Sequence, residues 1–170
     1  MPNYKELLAK YPHVELGASG TAVGLREDQP GNEEVGYKTI GAGRVLKQRS
    51  SFMNEFVDVD SLATNPALKD AVEFAKKHRS TIHIIGLMSD GGISSNIKDT
   101  IKIIEYLKTQ KVKVVIDFIA DGKDVEAKSA QQYIEMLQAT EVPIVSICGR
   151  YYAMDMEGKW DRIKVYYATV

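Results

Sequence analysis

Beyond residue 60 the apolar positions alternate between helical spacing and short continuous runs. Leu68, Val72 and Ala75 recur at i, i+4 and i+7 behind Asn65-Pro66, a capping residue followed by the residue best suited to a first helical position. The run Thr81 to Leu87 that follows is almost wholly apolar, as a strand with helices over both faces requires. The cycle then repeats. A helix capped by Ser95 or Asn96 turns Ile97, Ile101, Ile104 and Leu107 inward, and a strand runs from Val112 to Ile119. A third helix, about Ala127 to Ala139, faces Ala130, Ile134 and Leu137 inward and leads to a strand from Pro143 to Cys148. This alternation predicts a three-layer α/β fold, a mostly parallel sheet with helices on both faces.

The first third of the chain has a different texture. Residues 17 to 44 hold seven of the 13 glycines with little apolar periodicity, so they read as one extended loop. A loop that long inside a compact domain is functional, disordered, or packed on something else. The change of texture near Ser50 predicts two regions: a Gly-rich segment over 1–50 and an α/β domain over 51–170.

Composition narrows the class of function. The 170 residues carry 22 Lys and Arg against 23 Asp and Glu, a formal charge of −1, where a general nucleic-acid or anionic-membrane binder needs a basic surface. Nucleic acid and membrane are therefore not expected partners. The single Cys148 can form neither an intrachain disulfide nor a thiolate zinc site, and no leader-like or membrane-spanning apolar stretch is present, so the expected location is the cytoplasm.

Candidate chemistry gathers where strands end. Three successive strands run into Ser89-Asp90-Gly91-Gly92, Asp121-Gly122-Lys123-Asp124 and Gly149-Arg150. In open α/β sheets ligands bind at the carboxyl ends of the strands, so these loops should share a rim. Lys123 and Arg150 suit a carboxylate or phosphate, and Gly91 and Gly92 would let backbone N–H groups approach an oxyanion. Taken one at a time, Asp-Gly pairs are ordinary turn residues. Gly41-Ala42-Gly43 lacks the third glycine of a dinucleotide loop, Cys148 reads as a small buried apolar residue and His83 as a core histidine. His13 and His78 have no partners at metal-ligand spacing, and no serine-hydrolase elbow is present.

Longer wording is more specific. The segments Gly20 to Leu25, Gly31-Asn32-Glu33-Glu34-Val35-Gly36-Tyr37, Ile40 to Arg44, Gly86 to Gly92, Asp121 to Asp124 and Gly149 to Asp155, on to Arg162, resemble the cofactor-independent phosphoglycerate mutases. The resemblance runs from about Pro2 to Arg162 and corresponds to well under half of a typical member. It implies a phosphatase-like domain with a transiently phosphorylated serine and manganese or magnesium, and an inserted domain that clamps phosphoglycerate. It also implies that residues 51–170 resemble that substrate-binding domain.

Several positions depart from the family pattern. Glu33 occupies the nucleophilic serine position and offers no hydroxyl, so no catalytic residue is assigned, and Tyr37 stands where the pattern has histidine. Ser94 replaces a substrate-contacting histidine, the pattern's Arg-Asp pair becomes Lys123-Asp124, and Met156 replaces a second arginine, while Arg150 is retained. The resemblance thus assigns substrate binding to Arg150, Lys123, Asp124, Ser94 and Asp90. It assigns no metal ligand and no cofactor, since the family's metal ligands fall outside the matched stretch. The expectation is a truncated mutase-like domain, catalytically inactive alone, that binds a small phosphorylated acid. Two alternatives stand beside it: an active mutase converting 3-phosphoglycerate to 2-phosphoglycerate when completed by a partner, and a self-associating interaction module. A homo-oligomer is expected because an uncovered Gly-rich segment favours self-association.

Overall fold

The computed structural model describes residues 1–27, 29–48, 51, 57 and 59–170, the side chain of Val59 excepted. The chain divides into two compact units, Met1–Gln48 and Arg49–Val170. The expected boundary at Ser50 lies outside the described residues.

In the first unit, α1 spans Pro2–Lys10 and buries none of its side chains. A 3₁₀ turn over Gly20–Val23 and helix α2 over Glu33–Ala42 follow. The expectation of one loop across residues 17 to 44 is therefore corrected. Local capping overrides the weak periodicity: Asn32 accepts the Val35 N–H, Glu33 and Glu34 sit in the positive first turn, and Gly43 ends the helix in the left-handed region at φ 62°. Val23, Leu25 and Val35 form the unit's small core. Gly24 explains one glycine of the segment. At φ 76° it passes so close to Leu46 that a Cβ would lie 1.9 Å from its carbonyl oxygen.

The second unit is a parallel sheet in the order β1 (Thr81–Leu87), β2 (Lys113–Ala120) and β3 (Ile144–Gly149). Helices α3 (Val59–Thr64), α4 (Pro66–His78), α5 (Ile97–Thr109) and α6 (Ala130–Gln138) connect and cover it. The short α7 (Arg150–Ala153) and α8 (Trp160–Tyr167) complete the chain. The predicted start at Asn65-Pro66 is observed, Asn65 accepting the Leu68 N–H. Asn96 rather than Ser95 caps α5, and the Ser95 hydroxyl bonds the Leu87 carbonyl instead.

One face of the sheet carries Val114, Ile116 and Phe118 against Val72, Ile97, Ile104, Leu107, Tyr133 and Leu137, all buried. Burial of each such large side chain contributes roughly 1.5–3 kcal/mol. On the other face Asp117 pairs in register with Ile85 of β1 and Ser146 of β3. The β2–β3 register is irregular: Ile116 pairs with Ile144, but the next residue, Asp117, pairs with Ser146, leaving Val145 as an extra residue. Among the described residues no helix is long and apolar enough to cross a membrane.

Candidate functional site

The carboxyl ends of β2 and β3 meet at Asp121, the first residue after β2. Its Oδ1 accepts the backbone N–H groups of Gly122, Lys123 and Asp124 at 2.8, 3.0 and 3.1 Å, so the side chain folds its own loop around itself. Its Oδ2 accepts the hydroxyl of buried Ser89 at 2.6 Å, tying in the loop after β1. Arg150, at the start of α7, closes the set through Nη1, 2.9 Å from Asp121 Oδ1. Burial alone would raise the Asp121 pKa. The Ser89 hydroxyl, the Lys123 and Asp124 N–H donors and Arg150 outweigh it and hold the carboxyl well below the usual carboxylate range.

The same Nη1 lies 2.9 Å from Asp124 Oδ2. That approach is ionic: Asp124 Oδ2 is buried and has no hydrogen-bond partner. Burial would lower the Arg150 pKa, but the two carboxylates of Asp121 and Asp124 beside it keep it above its ordinary value. Both contacts of Arg150 use Nη1, and among the described residues its Nε and Nη2 have no partner.

Arg150 opens onto a cleft of about 450 Å³ whose walls include Lys123, Tyr151, Asp155 and Arg162. The Arg162 guanidinium stacks 4.0 Å from the centre of the Tyr151 ring and reaches Asp155 Oδ1 at 3.0 Å. Asp155 Oδ2 accepts the N–H groups of Lys159 at 2.7 Å and Glu157 at 3.2 Å. Against the raising effect of burial, those donors and Arg162 lower the Asp155 pKa. The arrangement can therefore hold a small anion between cations whose positions are fixed before it arrives.

Of the residues expected to bind substrate, Arg150 and Lys123 line this cleft and Asp124 lies against Arg150. Ser94 is exposed and lies outside the lining, as does Asp90. The Asp90 carboxylate instead accepts the Tyr133 hydroxyl of α6 at 2.5 Å, and the Tyr133 pKa is pushed up by burial and by Asp90. Glu33 is exposed in the first turn of α2, in the other unit. A Cβ built at Gly91 would lie 3.0 Å from Asp124 Cβ, so the glycine lets two loops pack. Three residues of the site were not singled out from sequence. Asp121 and Ser89 build the rim, and Arg162 supplies a further cation. The Asp-Gly-x-Asp spacing signals Asp121, because an aspartate there can take the N–H groups of its own turn. No local pattern points to Arg162.

The second sheet face carries a separate cluster. Asp117 Oδ1 accepts the Ser146 hydroxyl at 2.5 Å, and its Oδ2 accepts Nδ1–H of His83 at 2.8 Å. The reading of His83 as a core histidine is corrected, since its side chain is 54% exposed while that of Asp117 is 3% exposed. The Tyr166 hydroxyl of α8 is buried without a partner, its pKa raised by burial and then by Asp117 and Cys148. Among the described residues no three His, Cys, Asp or Glu side chains converge as a metal site requires.

Residues 53–170 match the family model described as the BPG-independent PGAM N-terminus. A 2,3-bisphosphoglycerate-independent phosphoglycerate mutase of Clostridium botulinum (strain Langeland) is 42% identical over 99% of this chain and 34% of its own length. One from Staphylococcus saprophyticus is 40% identical over 99% of this chain and 35% of its own length. The chain thus spans about a third of the curated relatives it matches. A crystal structure of Leishmania mexicana phosphoglycerate mutase at low cobalt concentration superposes with a TM-score of 0.77 at 31% identity, covering 86% of this chain and 29% of that one.

Proposed function

The chain belongs to the BPG-independent phosphoglycerate mutase family, in its N-terminal part, and on that footing we propose that its second unit binds a small phosphorylated acid of the phosphoglycerate type without turning it over alone. The observation that carries this reading is Arg150, whose Nη1 is held by two buried carboxylates while its Nε and Nη2 have no partner among the described residues, at the wall of a cleft shared with Lys123. A guanidinium fixed in this way presents two parallel donors to a phosphate or carboxylate with little further ordering to be lost. Inactivity rests on Glu33: a carboxylate at the nucleophile position offers no hydroxyl for the phosphoryl transfer that the family resemblance implies.

Calorimetric titration with 3-phosphoglycerate and 2-phosphoglycerate tests the binding. Saturable heat in the native protein, lost in Arg150→Gln, is expected; no heat with either acid overturns the reading. Turnover of 3-phosphoglycerate by pure protein with added manganese, abolished by Arg150→Gln, would overturn inactivity.

A second reading, self-association through residues 1–48, is favoured by a mostly apolar groove of about 480 Å³ that includes Leu16, Val23, Ile40 and Val45. Helix α1 adds Tyr4, Leu7 and Leu8, all exposed. Light scattering showing a concentration-independent monomer would end that reading.

A further inference from the structure

The cleft wall opposite expectation is Arg162. Its guanidinium is fixed on two sides, by the Tyr151 ring at 4.0 Å and by Asp155 Oδ1 at 3.0 Å. Asp155 is itself locked, its side chain 2% exposed and its second oxygen taken by two backbone N–H groups. A tie that served only to hold α8 would need no more than this edge. The other edge, Nε and Nη2, has no partner among the described residues, the side chain is 21% exposed, and the residue lines the same cleft as Arg150. Tyr151 directly follows Arg150 in α7, so stacking on its ring fixes Arg162 relative to the first guanidinium. One further anion is close: the Glu157 carboxylate lies 3.6 Å from Arg162 Nη1, beyond hydrogen-bond length, is 63% exposed, and is paired more closely with Lys159 Nζ.

We propose that Arg162 is a second anion-binding residue of this cleft, that the cleft takes a small acid carrying two anionic groups, one on Arg150 and one on Arg162, and that Glu157 is an internal counter-ion, shared with Lys159, that is displaced from Arg162 when that acid binds. The inference rests on the anion-binding reading of Arg150. A two-headed acid contacts both fixed guanidinium groups at once, so its affinity exceeds that of either anion alone. Glu157 lowers that affinity by competing for one of them, and its ion pair with Lys159 gives it a partner to keep when it leaves Arg162.

The test titrates the native protein, Arg150→Gln, Arg162→Gln and Glu157→Gln with 3-phosphoglycerate, inorganic phosphate and glycerate, and follows Trp160 fluorescence to check α8. The native protein is expected to bind 3-phosphoglycerate at least tenfold more tightly than inorganic phosphate or glycerate. Arg162→Gln should remove most of that advantage, and Glu157→Gln should tighten 3-phosphoglycerate two- to fivefold. Native affinity retained in Arg162→Gln, with binding lost in Arg150→Gln, overturns the inference and leaves the anion-binding reading standing. If Arg162→Gln disturbs Trp160, Glu157→Gln decides: unchanged or weaker binding overturns the displacement. No binding of 3-phosphoglycerate by the native protein and by Glu157→Gln removes the anion-binding reading and the inference together.

Discussion

Asp121 Oδ1 and Arg150 Nη1 face each other at 2.9 Å, with the Asp121 side chain only 1% exposed. The carboxylate also gathers Ser89 and three backbone N–H groups, so removing it strands one guanidinium, one hydroxyl and a turn. Asp121→Ala is expected to destabilise the second unit by about 3 kcal/mol, in the range for breaking a buried pair. Urea unfolding followed by circular dichroism measures it. A loss within experimental error would mean the loops are held by packing alone.

The same carboxylate fixes a pH dependence. Its folded pKa is depressed below the ordinary 3.8, so its stabilisation is present above that value and is lost as pH falls through it towards the lower folded pKa. Urea midpoints at pH 7, 4 and 3 should fall more steeply for the native protein than for Asp121→Asn. Parallel slopes would contradict the assignment.

On the other sheet face one carboxylate bonds across three strands. Asp117→Ala leaves the Ser146 hydroxyl buried without its acceptor and should cost about 1–3 kcal/mol. His83→Ala should cost under about 1 kcal/mol, because an exposed partner of a carboxylate contributes little. Thermal unfolding of the two variants and their double mutant gives the order; equal losses would place His83 inside the tie.

Phe118, fully buried in β2, anchors the core that sets the rim above it. Phe118→Ala should cost about 3–5 kcal/mol. Melting of the second unit, read by far-UV dichroism, checks it, and a loss under about 1 kcal/mol would show that α5 and α6 collapse into the space.

Much of the second unit was legible in sequence because period and punctuation agree there. Asn65-Pro66 starts α4, and the apolar runs of β1 to β3 are those of a covered parallel sheet. Helix α2 escaped because its signal lies in its ends, Asn32 and Gly43, with only Val35 buried between them. Helix α1 buries nothing, so no stripe announces it. Within the site, Arg150 and Lys123 were readable as cations after strands. Arg162 was not, since its place depends on an aromatic ring eleven residues earlier, a relation set by tertiary packing. His83 looked like core because its neighbours in the chain are apolar, yet alternate strand residues face opposite ways.

The extra residue Val145 acts on local pairing alone. Ile144 and Ser146, two apart, would share a face in a regular strand, yet they pair with the adjacent Ile116 and Asp117, so Val145 is the residue that breaks the alternation. From Ser146 to Gly149 the ladder runs without a further shift. Losing Val145 would therefore leave Ser146 on Asp117 and Gly149 on Ala120, whereas adding or removing one residue between Ser146 and Gly149 would turn over every group that follows and carry Arg150 off Asp121.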